Sequence, residues 1–494
     1  MTRSTGNHRP TRTRNVARRL LDPPRLVAWQ LLRAVTEDDA YANLALPRLL
    51  RDAGLTGRDA AFTTELAYGS LRGRGSYDAV LAACVDRPLE QVDPALLDAL
   101  RLGTHQLLAM RVPAHAAVDA TVDLVRAEVG QGAAGFANAV LRKVAAHDLG
   151  QWFEQVAPVR SADVDGYLSV TTSHPRWVVR ALRDSLRQAG LEDDLDALLA
   201  ADNVPAAVAL AALPGLAEPD ELIAAARRDV DGPDLRAGTL SPRAVLVRGP
   251  LEAVEAVRSG AARVQDEASQ VVTLLLTAAA VVGPDQGRWL DLCAGPGGKA
   301  ALLAAQLGQL RANGQVPATA QLLANESATH RVDLVRRSLA GVSHAHPHLV
   351  QVQQGDGREL TEVPGDGFDR VLVDAPCTGL GALRRRPEAR WRRTPADLAT
   401  LGPLQRALLT AAVAAVRPGG VVGYVTCSPH PAETRQVVAD VLRAHPQLQQ
   451  LDAAEAATTL LGGDPGRFGP GPDLMLWPHR HGGDAMYLAL LRAV

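Results

Sequence analysis

The spacing of apolar residues divides the chain into a helical first part and a later part in which strands and helices alternate. Over residues 25–147, apolar side chains recur at the spacing of amphipathic helices. Asp93 directly before Pro94 predicts the start of one helix, because Asp caps helices and Pro fits their first turn. Nothing there alternates as a strand would, so we predict an all-helical domain. The clearest segments are Leu26–Ala34, Ala61–Leu71, Leu96–Met110 and Val118–Val125.

From about residue 264, short apolar runs alternate with helical patterns. This repeating order predicts a mainly parallel sheet with helices on both faces. The predicted strands are Arg288–Cys293, Gln321–Glu326, Leu349–Gln354, Arg370–Asp374, Gly420–Cys427 and Tyr487–Leu491. The predicted helices are Ala268–Ala280, Gly298–Leu307, Ala328–Leu339, Pro395–Val416 and Ala432–Ala444.

Between these parts lie a linker with helices (148–203) and a region of mixed pattern (204–262). In the mixed region, Ala206–Leu213 and Ala244–Val247 predict strands, and Glu218–Arg228 and Leu251–Ser259 predict helices. The predicted order is therefore a basic arm (1–24), a helical domain (25–147), the linker, a small α+β domain (204–262) and an α/β domain (263–494).

Composition limits the class of protein. The 494 residues suffice for several domains, and the net charge is only −2. The longest apolar run, Val271 to Gly283, is shorter than the roughly 18 residues of a membrane span. The N-terminus lacks the apolar core of a secretory signal, and four Cys are too few for a disulfide framework. We expect a cytoplasmic protein without a membrane partner, and a monomer by default.

Charge is unevenly distributed along the chain. The first 25 residues hold seven Arg and a single acid, Asp22, which predicts a disordered basic arm suited to phosphates. A merely solubilising tail is the alternative. Only two of the 52 basic residues are Lys, Lys143 and Lys299. Lys299 is therefore a candidate for a role that the wider head group of Arg cannot fill.

Candidate chemistry lies at the predicted strand ends, where ligands bind in open α/β sheets. The first strand ends in Asp291-Leu-Cys-Ala-Gly-Pro-Gly-Gly-Lys299, a turn that lets a ligand approach the backbone and the following helix N-terminus. The second ends in Glu326, which can accept hydrogen bonds from ribose hydroxyls, and the third in Asp356, which could take an adenine amino group. Together these ends predict an adenosine-type cofactor.

Two of the four Cys follow the next two strands. Cys377 stands in Asp374-Ala-Pro-Cys-Thr-Gly, and Cys427 in Thr-Cys-Ser-Pro. Their shared edge of the sheet favours chemistry over packing, whereas Cys84 and Cys293 are interpreted as structural. A metal site would need more closely spaced ligands, and the His cluster at 344, 346 and 348 lies in a predicted loop, so we predict no metal.

An Arg-rich segment lies between the two Cys. It combines six Arg with one aromatic residue, a pattern typical of phosphate binding with a stacking side chain. A solvated charged loop is the alternative. The predicted RNA-binding residues are Arg384, Arg385, Arg386, Arg390, Trp391, Arg392 and Arg393.

Three motifs in this order resemble those of the RNA (cytosine-5) methyltransferases of the Nop/Sun (Fmu) family. They are Asp-x-Cys-Ala-x-Pro-Gly-Gly-Lys, Asp-Ala-Pro-Cys-Thr-Gly and Thr-Cys-Ser, and the resemblance covers about residues 160–494. The segments Leu100–Leu108 and Phe136–Arg142 resemble a NusB-like RNA-binding domain, the layout of the small-subunit ribosomal RNA branch.

The resemblance implies a class I S-adenosylmethionine (SAM) fold and methyl transfer to cytosine C5, with 16S rRNA or an assembling small subunit as the RNA partner. Cys427 would attack C6, and Cys377 would help to release the methylated base. Asp374 would hydrogen-bond near N3, and Lys299 would favour the thiolate. The implied cofactor contacts are Cys293, Ala294, Gly295, Pro296, Gly297, Gly298, Lys299, Glu326, Arg331, Asp356, Gly357 and Asp374.

Several positions depart from the family pattern. Gly295 replaces the usual Ala, Ala300 the usual Thr, and Glu326 the common Asp. Glu433-Thr434 replaces a Glu-Asn pair, and residues 209–213 replace the usual Arg-Val-Asn strand, which leaves the RNA contacts of residues 204–260 open. Three alternatives remain: a tRNA substrate, a non-catalytic RNA-binding assembly factor, and a nicotinamide oxidoreductase that uses the glycine turn.

Overall fold

The computed structural model describes residues 21–228, 232–464 and 466–494. The chain forms two compact units: the residues up to Arg180 with Arg385–Arg392, and Ala181–Arg384 with Arg393–Val494. Most of the predicted basic arm, residues 1–20, lies outside the described residues. The arm's last two positions already belong to a helix, which begins at Pro23. The five-part division predicted from the sequence stays a prediction.

The first unit is helical throughout its described part, as the spacing of apolar residues predicted. Its central helix α5 is buried almost all round and packs on α1, α3, α6 and α7. The Asp93 carboxylate accepts hydrogen bonds from the N–H groups of Ala95 and Leu96 at 2.9 and 3.0 Å, which confirms the predicted cap. The helices are α1 Pro23–Glu37, α2 Ala42–Asp52, α3 Gly57–Arg72, α4 Arg74–Cys84, α5 Pro94–Leu108, α6 Ala114–Glu128, α7 Gln131–Val144, α8 Leu149–Val156 and α9 Val164–Thr171.

In the second unit, a small antiparallel sheet comes before the large one. Its strand order is β2-β3-β1-β4, and the register pairs Leu210 with Val245 and with Val264. Strands and helices alternate in this region as predicted from the sequence. The elements are α11 Leu195–Ala201, β1 Val208–Ala212, α12 Pro219–Ala226, β2 Asp234–Ala237, β3 Ala244–Arg248, α13 Glu255–Arg258 and β4 Ala262–Val264, preceded by α10 Arg176–Gln188, which begins in the first unit.

The large sheet has eight strands in the order β10-β12-β9-β8-β5-β6-β7, with β11 paired to β12. The strands β5 to β9 are parallel, and β12 runs antiparallel to β9. This is the predicted α/β fold. The elements are α14 Glu267–Ala278, β5 Arg288–Asp291, α15 Gly298–Ala312, β6 Gln321–Glu326, α16 Thr329–Ala345, β7 Val350–Gln354, β8 Phe368–Asp374, α17 Ala389–Arg392 (part of the first unit), α18 Pro395–Ala415, β9 Val416–Thr426, α19 Arg435–Ala444, β10 Leu448–Leu451, α20 Ala453–Leu461, β11 Leu474–Leu476, α21 Pro478–His481 and β12 Met486–Ala493.

Both faces of this sheet are covered by helices. Along β8, Leu372 packs with α14, α15 and α16, whereas its neighbours Val371 and Val373 pack with α18 and α19. Alternate residues of a strand point to opposite faces, so a run of apolar residues indicates a strand buried on both sides. One helix in the described residues, α18, is long and apolar enough to span a membrane by length and composition. It packs on β8 and β9 of the large sheet.

The structure differs from the predicted elements at several boundaries. Strand β5 ends at Asp291, so Leu292 and Cys293 begin the turn instead of ending the strand. Strand β9 begins at Val416, four residues before the predicted start. The predicted helix from Ala432 is preceded by a 3₁₀ turn, Pro431–Glu433, and begins at Arg435. The edge strand β10 was not predicted, because Leu-Gln-Gln-Leu is short and half polar.

Candidate active site

The candidate residues meet at one edge of the large sheet. Strands β7, β6, β5, β8 and β9 are consecutive neighbours and run parallel, so their carboxyl ends lie along the same edge. A residue singled out in the sequence ends or follows each strand: Asp356, Glu326, Gly295, Asp374 and Cys427. The predicted gathering of these side chains at one sheet edge is therefore what the structure shows.

The glycine turn after β5 is held by Glu326 and Arg331. The Gly295 N–H donates to Glu326 Oε2 at 3.0 Å, and the Arg331 guanidinium donates to the Gly295 carbonyl. Arg331 Nε lies 3.5 Å from the same Glu326 oxygen. Glu326 is buried, and its other oxygen accepts from the N–H of Ala328 at 2.9 Å. The Glu326 carboxylate is thus fixed at the end of β6.

The turn continues through Gly297 into the N-terminus of α15. Gly297 has φ +107°, and a Cβ there would lie 2.4 Å from the Ser338 Cβ, so only glycine fits. Ser338 donates to the Pro296 carbonyl at 2.9 Å. Gly298 is the first residue of α15, so the free N–H groups of its first turn face the turn region. The turn therefore brings bare backbone and a helix N-terminus together.

Lys299 and Asp374 form an ion pair, with 2.7 Å between Nζ and Oδ2. Burial alone would lower the pKa of Lys299, but the charge and hydrogen bond of Asp374, together with the charge of Cys427, raise it. Lys299 is therefore a permanent cation beside Cys427. A cation beside a thiol favours the thiolate, which is the role expected for Lys299 from the sequence.

The sulfur atoms of Cys377 and Cys427 lie 3.4 Å apart. The two residues follow neighbouring strands, β8 and β9, so the contact joins positions fifty residues apart in the sequence. The hydrogen bond with Cys427, burial and the charges of Cys427, Glu433 and Asp374 raise the pKa of Cys377 well above its usual range. Cys377 is thus a thiol that can donate a hydrogen bond to a thiolate at Cys427.

Asp291, at the end of β5, is the most strongly perturbed carboxyl of this edge. It is 1% exposed, and burial, with the charge of Asp374, raises its pKa to about 8 against the opposing charge of Lys299. The same burial raises the pKa of Cys293 well above its usual range. A raised pKa disfavours the thiolate of Cys293, and its structural role stays a prediction.

Asp356 follows β7 and is half-exposed. Its hydrogen bonds with Arg358 lower its pKa to about 2, so it carries a full negative charge. Gly357 is buried, and a Cβ there would lie 3.0 Å from Leu292 and Leu408 side-chain atoms. Asp356 thus lies beyond the end of β7 with both carboxylate oxygens bound by Arg358, while Gly357 packs against the core.

Sequence reasoning missed Gln265, which lies between β4 and α14. It is 6% exposed, its Nε2 donates to Ser269 at 3.1 Å, and its Oε1 is buried without a hydrogen-bond partner in the structure. A Cβ on Gly298 would lie 3.8 Å from its side chain. An unpaired amide oxygen beside the glycine turn fits the ammonium group of an amino-acid ligand. Gln265 escaped notice because nothing in its local sequence marks it.

The Arg-rich segment is divided between the two units. Arg384 and Arg393 belong to the second, where Arg384 donates to the Gly483 carbonyl at 3.3 Å and Arg393 pairs with Asp397 at 3.1 Å. Residues Arg385–Arg392 belong to the first unit. The structure thus separates the members of a segment that the sequence presents as a single run.

Within the first unit, several of these side chains contact protein. Arg390 is fully buried and donates to the Ser173 carbonyl at 3.0 Å. Trp391 lies against Gly75, where a Cβ would be 2.5 Å from the ring, and under the Arg74 guanidinium. Arg392 pairs with Asp39 at 2.9 Å. Arg386 stacks over the Tyr41 ring, 5.6 Å from its centroid. The predicted RNA contacts of this segment stay a prediction, and Arg390 would have to leave its site to make one.

The described residues contain no group of three or more His, Cys, Asp or Glu side chains placed to hold a metal ion. The His cluster is spread over the end of α16 and the following loop, and His346 packs against Gly308. The side chains at this sheet edge are charged groups and thiols placed around the glycine turn.

Two family models match the chain. The model described as "NusB family" matches residues 22–146, and the model described as "16S rRNA methyltransferase RsmB/F" matches residues 279–492. The first range coincides with helices α1 to α7, and the second contains the large sheet with the glycine turn and both thiols. The match therefore includes the sheet edge described above.

Related proteins match over almost the whole chain. "Putative methyltransferase Rv1407" of Mycobacterium tuberculosis is 51% identical over 482 residues, which cover 97% of this chain and 99% of that protein. Ribosomal RNA small subunit methyltransferase B of Pseudomonas syringae pv. tomato is 30% identical over 440 residues, covering 88% and 90%. The similarity includes both units.

Solved structures share the fold. The protein PH0851 superimposes with a TM-score of 0.74 at 22% identity, covering 96% of this chain and 99% of its own. NSun6 from Pyrococcus horikoshii, solved with SFG, gives 0.50 at 17% identity, covering 63% of this chain and 97% of its own. These likenesses establish the fold.

Proposed function

The chain belongs to the 16S rRNA methyltransferase RsmB/F family of SAM-dependent RNA methyltransferases, and on this premise we propose that it methylates C5 of a cytosine in 16S ribosomal RNA through a covalent adduct at Cys427. The observation that carries the proposal is the contact between two thiols, 3.4 Å apart, at strand ends that also bear the Lys299–Asp374 pair. A nucleophilic thiol at this edge of the sheet suits addition to a pyrimidine ring.

Cys427 acts as the nucleophile. Cytosine C5 is a poor nucleophile until a thiolate adds at C6, when the new S–C6 bond makes C5 enamine-like. Lys299 stabilises the thiolate by its charge, and Cys377 donates a hydrogen bond to it. During the addition N3 takes a proton from water, and Asp374, held by Lys299, accepts a hydrogen bond from the resulting N3–H. In duplex RNA the base must leave its stack to reach these groups.

The residues around the glycine turn fit SAM, because they combine a backbone cradle, a fixed acid for the ribose and an unpaired buried amide oxygen. Bound SAM supplies an electrophilic methyl group. We assign the ribose hydroxyls to Glu326, the adenine amino group to Asp356, and the amino-acid end to Gln265 and the first turn of α15. The other predicted contacts, from Cys293 to Lys299 and at Arg331 and Gly357, shape the cradle.

Release reverses the addition. Once C5 carries the methyl group, its proton passes to a water-derived base, the C5–C6 double bond forms, and the S–C6 bond breaks. The electron pair of that bond stays on the Cys427 sulfur, which regains the hydrogen bond from Cys377. Cys377 therefore assists release by stabilising the departing thiolate, and its loss should leave the adduct in place.

The helical unit is the second reason to favour ribosomal RNA. A NusB-type RNA-binding domain joined to the catalytic part is the arrangement of the ribosomal RNA relatives. We propose that it and the small antiparallel sheet hold the RNA while the sheet edge acts on one base, in the cytoplasm. The net charge of −2 means that affinity comes from local Arg clusters, so binding should weaken as salt increases.

The test is a trapping experiment with unmodified 16S rRNA and SAM on a denaturing gel. The Cys377→Ala protein should give a slow RNA–protein band that Cys377→Ala/Cys427→Ala lacks. Absence of the band, with methyl transfer by the wild type intact, would overturn the assigned Cys roles. A band with tRNA transcripts and none with 16S rRNA would show that the substrate is tRNA and not 16S rRNA. Neither a band nor transfer would favour a non-catalytic RNA-binding protein.

A further inference from the structure

A buried carboxylate, that of Glu433, binds the residue that follows Cys377. Glu433 is 0% exposed and ends the 3₁₀ turn that follows β9. Its main-chain carbonyl accepts a hydrogen bond from the Tyr424 hydroxyl at 2.8 Å, which ties the turn to β9. Burying a carboxylate costs free energy of folding unless hydrogen-bond donors surround it. The donors around Glu433 therefore indicate the role of this side chain.

Those partners hold both peptide groups that flank Cys377. Glu433 Oε1 accepts from the Thr378 N–H at 2.8 Å and from Gln405 Nε2 at 3.1 Å. The same Gln405 Nε2 donates to the Pro376 carbonyl at 2.8 Å. The carbonyl before Cys377 and the N–H after it are thus bound to one pair of buried side chains. The backbone of Cys377 has little freedom to shift.

The same network reaches Cys427. The Thr378 hydroxyl donates to Glu433 Oε2 at 2.5 Å and lies 3.1 Å from the Ser428 hydroxyl, and Ser428 directly follows Cys427. The Cys427 carbonyl accepts from the Gly381 N–H at 2.8 Å. The turns that carry the two thiols are therefore joined by these hydrogen bonds as well as by the sulfur contact.

From this geometry we propose that Glu433 is a positioning residue, which holds the Cys377 thiol at the Cys427 sulfur by binding Thr378 and Gln405. The inference rests on the proposed function, because it concerns release of the adduct at Cys427. Glu433 acts through its hydrogen bonds to Thr378 and Gln405. Its loss lets the Cys377 turn shift and removes the hydrogen bond to the departing thiolate, while Lys299 still favours the attack by Cys427.

The consequence is a specific kinetic signature. Glu433→Gln preserves the size of the side chain, but its amide can turn an N–H₂ toward the Thr378 N–H, where a carboxylate oxygen now accepts. Hydrogen bonds to a charged group contribute more free energy than neutral ones, so release of the methylated RNA from Cys427 should slow about tenfold or more. Addition should continue, so the RNA–protein adduct should accumulate. A merely structural loss would lower adduct formation and turnover together.

The experiment measures three quantities for each variant: adduct on a denaturing gel with SAM and unmodified 16S rRNA, the Kd for SAM, and the melting temperature. Glu433→Gln should accumulate adduct at least tenfold above wild type, with an unchanged Kd for SAM. Glu455→Gln, an exposed Glu at the start of α20, is the matched control and should match wild type.

Thr378 provides a second pair of variants. Thr378→Ser keeps both the N–H and the hydroxyl that Glu433 binds, so it should release the adduct as wild type does. Thr378→Val keeps the shape and the N–H but loses the hydroxyl, so it should accumulate adduct to an intermediate level. If Glu433→Gln melts below the assay temperature, this pair decides the question.

The outcomes separate the two proposals. If Cys377→Ala traps the adduct and folded Glu433→Gln does not, or if Glu433→Gln prevents addition while it still binds SAM, the positioning role is wrong. If Cys377→Ala traps nothing, the release role assigned to Cys377 fails, and the positioning role fails with it. Accumulation in Glu433→Gln and Thr378→Val, and none in Thr378→Ser and Glu455→Gln, establishes the role.

Discussion

Gly295 and Glu326 fit together because residue 295 has no side chain: a Cβ there would lie 2.1 Å from Glu326 Oε2 and 2.7 Å from Arg331 Nε. Both residues depart from the family pattern, which usually has Ala at the first position and Asp at the second. The longer carboxylate reaches the Gly295 N–H at 3.0 Å through the space that the Ala methyl would fill. The two departures compensate for each other.

Gly295→Ala should therefore weaken SAM binding, because the methyl group forces Glu326 and Arg331 out of place. Overpacking of this kind costs about 1–3 kcal/mol, which corresponds to a rise of roughly tenfold to a hundredfold in Kd. Calorimetric titration with SAM measures it. The double variant Gly295→Ala/Glu326→Asp should recover most of the affinity, since the shorter acid leaves room.

Gly365→Ala is the matched control for this pair. A Cβ at Gly365 meets no atom within 4 Å, and its φ is not in the left-handed region. This variant should bind SAM as wild type does. Equal affinities of Gly295→Ala and Gly365→Ala would contradict the compensation.

Lys299→Met should slow alkylation of Cys427. The substitution keeps an unbranched chain but removes the charge that pairs with Asp374 at 2.7 Å and acts on Cys427. The thiolate then forms at a higher pH, so the rate profile for iodoacetamide, followed by mass spectrometry of the Cys427 peptide, should move to higher pH. Lys143→Met, the other Lys of the chain, binds the Cys84 carbonyl and is the control. Identical profiles for both variants would remove Lys299 from this role.

Asp291→Asn should stabilise the protein at alkaline pH. The pKa of Asp291 is raised to about 8, so the folded state keeps a proton that the unfolded state loses near pH 4. Stability contributed by this group therefore falls as pH rises from about 4 to about 8. Asp291→Asn has no such proton to lose, so it avoids a fall in the free energy of unfolding of up to about 5 kcal/mol at pH 8. The change in melting temperature from pH 5 to pH 8 should be smaller for Asp291→Asn than for wild type. The control, Asp333→Asn, removes an exposed Asp paired with Arg336 and should show the same change as wild type.

The helical unit should lose stability in acid through His105. Burial lowers the pKa of His105 to about 4, and its Nδ1 lies 2.8 Å from the Tyr77 hydroxyl. In the unfolded state His105 is protonated below about pH 6.5, whereas in the folded state it stays neutral down to about pH 4. The free energy of unfolding therefore falls as pH drops from about 6.5 to about 4. The loss is about 3 kcal/mol. His105→Gln should melt with a smaller pH dependence over this range than wild type, and an unchanged dependence would exclude His105.

Arg390→Ala should destabilise the first unit without changing how RNA binding depends on salt. Removing a buried guanidinium leaves the Ser173 carbonyl unpaired, at a cost of about 2 kcal/mol. A phosphate contact would instead reduce the slope of affinity against salt by about one. Thermal melting and RNA titration at several salt concentrations distinguish the two. A reduced slope in a folded Arg390→Ala protein would restore the predicted RNA contact.

The sequence revealed those features of the site that are local in the chain. Apolar runs bounded by turns located the strand ends, and Gly295, Glu326, Asp374 and Cys427 followed from them. Residues that act through distant partners remained hidden. Gln265 comes from another strand–helix turn, and the Glu433 carboxylate meets Thr378 only in the folded chain. The burial of Arg390 in the Arg-rich segment was hidden for the same reason, because it depends on the Ser173 carbonyl more than two hundred positions away.

The Arg385–Arg392 segment has a consequence for any attempt to divide the protein. Since it belongs to the helical unit but lies inside the sequence of the other, the chain passes between the units three times. A fragment ending at Arg180 would lack the Glu388 side chain that accepts the Ala42 N–H at 3.2 Å, as well as Arg390. The NusB-type half is therefore not a module that one cut can free, and exchange of domains between relatives must carry eight residues of the catalytic half along with it.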